Sequence, residues 1–216
     1  HDGFCMFDTK YTNYKITSPE CPFHSNPKAN VTKEIFNAFR NEGLWVGAYF
    51  SKPDWHSEDF WWPQFPPFDR NVNYDLKRYP ERWNRFVDFT HNQVMELVTE
   101  YGKVDILWFD GGWVQKREET PGRQTGNRLN MDIKMDELVA KVRKAQPEVI
   151  VVDRAVHGKN QNYLTPENQV PDKMLPYPWE SCIIMGGGWS FSYHPKFRSS
   201  GELIHMLADI VSKGGN

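Results

Sequence analysis

The chain has 216 residues, a formal net charge of -2 and 25% charged residues. A chain of this length can bury the hydrophobic core of one domain. Its nearly balanced charge gives no electrostatic basis for binding nucleic acid or an anionic membrane. No window approaches the roughly 20 apolar residues of a membrane span, so neither nucleic acid nor membrane is expected as a partner.

Hydrophobic periodicity in the first half of the chain predicts two helices separated by a strand. Asn30 is a favoured N-cap residue for an amphipathic helix over 31–42. The apolar run 45–50 predicts a short strand. A long helix is predicted to begin near Pro80, because proline is favoured in a first turn, and to end at Gly102.

The second half continues the alternation. Residues 104–109 are nearly all apolar, as expected of a parallel strand that is covered on both faces. A helix is predicted over 131–145, a third strand over 149–152 and a last helix over 203–211. Alternating strands and helices predict a parallel sheet, in either a barrel or a doubly wound fold. No glycine-rich phosphate-binding motif follows a strand, which disfavours a nucleotide-binding fold.

Three long segments follow the predicted strands, at 51–79, 111–130 and 154–180, and they exceed the usual length of βα loops. In a barrel the active-site residues come from these loops. The first loop is rich in proline and carries the aromatic residues Trp55, Phe60, Trp61, Trp62, Phe65 and Phe68. We expect these side chains to face solvent and to stack on a ligand, with a core role as the alternative.

Asp110 is the first candidate for chemistry, since it directly follows an apolar strand and precedes two glycines. Its carboxylate is expected at the rim of the sheet, although an aspartate here can also simply cap the next turn. Trp108 and Trp113 flank it, and aromatic walls suit a sugar ring. Cleavage of a glycosidic bond needs two carboxyl groups.

Glu167 and Glu180 are the candidate partners, because both follow the third strand in polar or aromatic surroundings; each can also be an ordinary loop carboxylate. Arg154, at the end of that strand, can form a charge clamp in a site or an internal salt bridge. No metal is expected at His1, which lacks a second histidine at ligand spacing.

The three cysteines, Cys5, Cys21 and Cys182, form no metal-ligand pattern. Cys5 and Cys21 could be bridged, and buried free thiols are the alternative.

Several segments, taken together and in order along the chain, resemble the family 29 α-L-fucosidases. Residues 1–12 resemble the family's HHDGF segment and its continuation, and 106–113 (ILWFDGGW) resemble its nucleophile segment. Residues 152–154 are similar to its strand-end NDR, with Val for Asn. Two later stretches, 179–193 and 212–216 (SKGGN), resemble the family's WE-x-C to WGY segment and the start of its SKGGN strand.

This resemblance implies a role for individual residues. Asp110 is the implied nucleophile and Glu167 the implied acid/base, with Glu180 as the alternative acid/base. The implied substrate-binding residues are His1, Tyr49, Trp108, Arg154 and Phe191. The implied reaction is hydrolysis of terminal α-L-fucosides with retention, by double displacement, with the two carboxyl groups about 5–5.5 Å apart. The expected partner is a fucosylated oligosaccharide or glycoconjugate, and no cofactor is required.

The resemblance also implies an α/β fold, a TIM-like (β/α)8 barrel that is incomplete at both ends. Residues 1–216 are then part of a single catalytic barrel domain, with the start of the barrel and a C-terminal β-sandwich outside the chain. An open barrel exposes strand edges and apolar surface, so low stability or inactivity of the chain alone is expected. The usual location of proteins in this family implies that the protein is secreted, periplasmic or lysosomal.

Two other functions compete with this one. The first is a non-catalytic fucose-binding protein on the same scaffold, which needs the aromatic walls and Arg154 but no carboxylate pair. The second is a barrel glycosidase for another sugar. Inhibition by iminosugars separates a fucosidase from a glycosidase for another sugar, since a fucosidase binds fucose-configured iminosugars and does not bind glucose-configured ones.

Overall fold

A computed structural model describes residues 1–114, 131–154 and 158–216. Its helices and strands alternate in the predicted order. They are α1 (Val31–Asn41), β1 (Gly47–Ser51), α2 (Pro80–Glu100), β2 (Ile106–Asp110), α3 (Met135–Ala145), β3 (Ile150–Asp153) and α4 (Ser200–Ser212).

The three strands form one sheet with β2 in the centre, in the order β1-β2-β3. β1 and β2 run parallel, with Tyr49 opposite Trp108 and Ser51 opposite Asp110. The carboxyl ends of these two strands therefore meet at the same edge. The fold is α/β, as predicted, and the described residues contain this three-stranded sheet without a closed barrel.

The chain divides into two compact units, His1–Val151 and Val152–Asn216. The first unit holds the main hydrophobic core, in which Phe86 and Val94 of α2 and Leu107 and Phe109 of β2 are fully buried. Helix α2 also contacts α3. Strands β1 and β2 are therefore anchored in the core of this unit, which supports their carboxyl ends.

Local signals placed the first helices well. The side chain of Asn30 accepts a hydrogen bond from the backbone N–H of Lys33, as an N-cap does, and Pro80 occupies the first turn of α2. The strands begin later than predicted. β1 starts at Gly47, and β2 runs through Asp110, which is its last residue rather than the first residue of a loop.

The predicted start of the third helix, at 131, was wrong. α3 begins at Met135, after Lys134 with a positive φ of 54°. Asp132 accepts a hydrogen bond from the Lys134 N–H and thereby stabilises a turn. Met131 and Ile133 are nevertheless fully buried, so an extended segment that is packed on the core produced the apolar pattern attributed to a helix turn.

The second unit contains few regular elements. A capping box between Ser199 and Glu202 begins α4. The segments 164–167 and 179–182 lie side by side, since isolated parallel bridges join Leu164 to Trp179 and Glu167 to Cys182. These bridges bring the two loop segments that carry Glu167 and Glu180 next to each other.

Among the described residues, no helix is both long enough and apolar enough to cross a membrane.

Candidate active site

Asp110 lies at the carboxyl end of the central strand and is only 8% exposed. The Tyr49 hydroxyl donates a hydrogen bond of 2.8 Å to its Oδ2, and the Gly111 N–H donates one of 2.7 Å to its Oδ1. The strand register explains the first contact. Tyr49 pairs with Trp108, and residues two apart on a strand share a face, so Asp110 lies diagonally within reach of the tyrosine.

His1 lies beside this carboxylate. Its Nε2 is 3.9 Å from Asp110 Oδ2, and its Nδ1 forms a short hydrogen bond with the Ser51 hydroxyl. Two indole rings form T-shaped contacts with the imidazole, with ring centroids 5.0 Å away for Trp55 and 5.2 Å for Trp113. The histidine is thus fixed in position by groups from two segments, 51–55 and 110–113.

The backbone after Asp110 requires glycine. Gly111 has a φ of +84°, and a Cβ atom there would lie 2.4 Å from Cδ of Pro53. A side chain at this position would be strained and would collide with the loop that follows β1. Gly111 therefore lets two strand ends approach closely while its own N–H contacts the carboxylate.

Aromatic rings frame the carboxylate on more than one side. Tyr49 and Trp108 stack with ring centroids 5.6 Å apart and an interplanar angle of 22°. The indole N–H of Trp113 donates a 3.0 Å hydrogen bond to the Arg70 carbonyl, and the Arg70 guanidinium lies 4.8 Å from the centroid of the same ring. Loop 51–79 is thereby fixed to the end of β2.

The expectation that the aromatic residues of loop 51–79 face solvent was wrong for most of them. Phe60 is fully buried, and only Phe65 and Phe68 are exposed. The three tryptophans of this loop are half-buried and pack against the core: Trp55, Trp61 and Trp62. A proline-rich loop of this length folds back on α2, and its large rings then gain more from burial than from solvent contact.

Sequence reasoning missed several polar groups that follow β1. Ser51 contacts His1, and Lys52 is fully buried. Oδ1 of Asp54 accepts hydrogen bonds from the N–H groups of His56 and Ser57, and burial raises the pKa of its carboxyl above the usual range. Ser51, Lys52 and Asp54 lie at the same sheet edge as Asp110, and this position was the signal that could have identified them.

A cavity of about 370 Å³ is lined by residues that include His1, Tyr49, Ser51, Lys52 and Asp54.

In the second unit, the structure pairs two of the predicted residues with each other. The Arg154 guanidinium forms an ion pair with the Glu167 carboxylate, whose side chain is 44% exposed. It also lies 6.0 Å from the centroid of the Trp189 ring. The salt bridge considered for Arg154 is present, and its role in a sugar site stays a prediction.

The other two predicted residues of this unit lie in irregular segments. The Glu180 N–H donates a hydrogen bond to the Leu164 carbonyl, and Glu180 is half-buried. Phe191 is 84% exposed and meets Tyr193 edge to face, with ring centroids 5.2 Å apart. Parts of the predicted loops 111–130 and 154–180, namely residues 115–130 and 155–157, lie outside the described residues.

The cysteines are free thiols, so no bridge joins Cys5 to Cys21. Burial raises the pKa of the Cys5 thiol to about 11. Within the described ranges, no group of three His, Cys, Asp or Glu side chains could hold a metal ion.

The structure therefore gathers His1, Tyr49, Trp108 and Asp110 in the first unit, and Arg154 with Glu167 in the second. The predicted separation of the Asp110 and Glu167 carboxyl groups stays a prediction. A carboxylate at the carboxyl end of a parallel strand, framed by aromatic rings, is the arrangement typical of glycoside hydrolases built on α/β barrels.

Comparison with known proteins identifies the family within this class. The family described as alpha-L-fucosidase matches residues 1–216, and the chain belongs to that family. It is 25% identical over 229 residues to the plasma alpha-L-fucosidase of Rattus norvegicus, covering 100% of this chain and 43% of the rat protein.

Solved structures share the fold of the chain. The chain matches alpha-L-fucosidase isoenzyme 1 from Paenibacillus thiaminolyticus with a TM-score of 0.74 and 32% identity, over 100% of this chain and 51% of that one. It matches a GH29 alpha-L-fucosidase from Bacteroides thetaiotaomicron with a TM-score of 0.72 and 23% identity, over 100% of this chain and 48% of that one. The chain thus spans about half the length of these relatives or less.

Proposed function

We propose that the protein hydrolyses terminal α-L-fucosides with retention of configuration, and that Asp110 is its nucleophile. The observation that carries this proposal is the way in which the Asp110 carboxylate is held. Tyr49 and Gly111 each donate to one of its oxygens, and His1 lies 3.9 Å from Oδ2. The family of the chain and the names of its relatives support fucose as the sugar.

The arrangement suits nucleophilic attack. A buried carboxylate with a fixed orientation needs little reorganisation to reach an anomeric carbon, which is the main advantage of a pre-organised site. Hydrogen bonds to both oxygens hold the carboxylate in one orientation. The resulting glycosyl ester would be hydrolysed by water in the second displacement.

Glu167 is the proposed acid/base. It is accessible to solvent and its carboxylate is paired with Arg154. To act as the acid it would have to leave this pair and take up a proton, which it then donates to the leaving oxygen. Glu180 is the alternative, because its segment lies beside that of Glu167. We further propose Trp108, Arg154 and Phe191 as fucose-binding groups beside His1 and Tyr49.

The wider setting is also proposed. The strands would belong to a (β/α)8 barrel, in which 1–216 form part of one catalytic domain. The natural substrate would be a fucosylated oligosaccharide or glycoconjugate. Relatives named as plasma enzymes support a secreted or lysosomal location.

The test is hydrolysis of 4-nitrophenyl α-L-fucoside by the full-length protein and by its Asp110→Ala, Glu167→Ala and Glu180→Ala variants, with and without azide. Retention requires two inversions, so azide should rescue the acid/base variant with α-L-fucosyl azide as the product. The nucleophile variant permits a single inversion and should yield β-L-fucosyl azide. Glu148→Ala, at an 86% exposed side chain, serves as the carboxylate control.

The products decide between the candidates. Rescue of Glu180→Ala with α-L-fucosyl azide, together with full activity of Glu167→Ala, would transfer the acid/base role to Glu180. A protein that binds fucose but cleaves no fucoside would instead be a sugar-binding protein, and Asp110 would have no nucleophilic role.

A further inference from the structure

A series of contacts leads from the Asp110 carboxylate to the surface. His1 lies 3.9 Å from Asp110 Oδ2, the Trp113 ring centroid lies 5.2 Å from that of His1, and the Arg70 guanidinium lies 4.8 Å from the centroid of Trp113. Exposure increases along this series. Asp110 is 8% exposed, the His1 side chain 20%, Trp113 is half-buried and Arg70 is exposed.

The direction of this gradient has a chemical meaning if Asp110 attacks an anomeric carbon. The terminal sugar must occupy the buried end, beside the nucleophile. The leaving group is joined to the rest of a glycan and must extend toward solvent. The residues at the exposed end of the series are therefore placed where the first sugar of the leaving group passes.

Arg70 is suited to contact such a sugar. Its guanidinium rests on the face of Trp113, and its carbonyl accepts the Trp113 indole N–H, so both ends of the residue are fixed to the same ring. No ion pair with a carboxylate engages its guanidinium within the part of the chain that the structure describes. Its planar set of N–H donors is thus held in place and directed at solvent, where sugar hydroxyl and ring oxygens can accept.

We propose that Arg70, stacked on Trp113, is a specificity-determining residue that binds the leaving-group sugar of the substrate. This inference rests on the proposed function of Asp110, which supplies the position of the terminal sugar. Loop 51–79 then contributes to substrate choice through its fixed attachment to the end of β2, while its large aromatic rings mainly support the fold.

The test compares two substrates that differ only in the leaving group. α-L-Fucosyl fluoride releases an ion that occupies no sugar site, whereas an α-L-fucosyl-galactoside places a pyranose there. We expect Arg70→Ala to lower kcat/KM for the disaccharide about tenfold more than for the fluoride, mainly through KM, as lost contacts of a fixed guanidinium do.

Arg78→Ala is the matched control, because Arg78 is also exposed and lies 5.3 Å from the ring centroid of Tyr79. It should change neither substrate's kinetics. Equal losses on the two substrates, or no loss, in an Arg70→Ala protein with an unchanged Tm would overturn the inference and leave the proposed function standing. Failure of the unaltered protein to hydrolyse the fluoride would instead reject the proposed function, and the inference with it.

Discussion

The hydroxyl of Tyr49 donates a 2.8 Å hydrogen bond to Oδ2 of Asp110 on the neighbouring strand. The two residues are 61 positions apart in the chain, yet the parallel register places them on one face, one diagonal step from each other. The register of two strands thus fixes the orientation of the proposed nucleophile.

Removal of this hydroxyl should impair catalysis more than stability. We expect Tyr49→Phe to lower kcat for 4-nitrophenyl α-L-fucoside about 10- to 100-fold, since a hydrogen bond to a charged group contributes about 1.5–3 kcal/mol. Tyr177→Phe, at a 65% exposed residue, is the control. Wild-type kinetics for Tyr49→Phe would show that the hydroxyl does not orient the carboxylate.

Substitution of Gly111 tests how closely the end of β2 must approach the loop that follows β1. Ala at this position combines an unfavourable positive φ with a 2.4 Å contact to Pro53, and Gly111→Ala should destabilise the protein by about 2 kcal/mol or more. Gly43 has a similar φ of +69° with nothing within 4 Å of an added Cβ. Urea unfolding should therefore give a smaller loss, about 1 kcal/mol, for Gly43→Ala. Equal losses for both variants would mean that the contact with Pro53 is relieved by movement.

Glu96 joins α2 to the segment that follows His1. Its carboxylate is buried and accepts hydrogen bonds from the Thr9 hydroxyl at 2.6 Å and from the Lys10 N–H at 2.9 Å. Glu96→Ala leaves these donors without an acceptor, and we expect a loss of about 2–3 kcal/mol in the free energy of unfolding.

Glu100 provides the comparison for Glu96, because it contacts the same Lys10 through an exposed ion pair at 2.6 Å. Exposed ion pairs contribute little, so Glu100→Ala should unfold at nearly the same denaturant concentration as the unaltered protein. A similar shift for both glutamates would contradict the role given to the buried hydrogen bonds.

His91 should make stability depend on pH. It is buried with Nε2 2.8 Å from the Ile133 carbonyl. Burial lowers the pKa of its imidazole, nearby Lys141 lowers it further, and Glu137, Asp88 and the hydrogen bond oppose the shift. In the unfolded chain this imidazole therefore binds a proton more readily than in the folded protein. The contribution of neutral His91 to stability is thus present at neutral pH and falls as pH drops through about 6.5.

His91→Gln should keep a donor for the Ile133 carbonyl and reduce this fall in stability between pH 7.5 and 5.5. Thermal or urea unfolding across that range measures the difference in slope. His205→Gln, at an exposed histidine of α4, should leave the slope unchanged. An unchanged slope for His91→Gln would mean that other groups carry the pH dependence.

The amino-acid sequence by itself determined the order of the elements and the position of the proposed nucleophile on them. Asn30 and Pro80 mark helix starts because capping and first-turn preferences act over a few residues. The apolar run before Asp110 identified its strand for the same reason. The apolar residues before α3 were misassigned, since a buried extended segment and a buried helix turn give similar short patterns.

Only the tertiary structure decided which distant residues meet. The contact of Arg70 with Trp113, the place of His1 beside Asp110 and the pairing of Arg154 with Glu167 depend on how loops fold back on the strands. It also decided that Phe60 is buried rather than available to a ligand. Short-range sequence patterns report local conformation and burial, whereas contacts across many residues arise from packing of the whole chain, which no local pattern encodes.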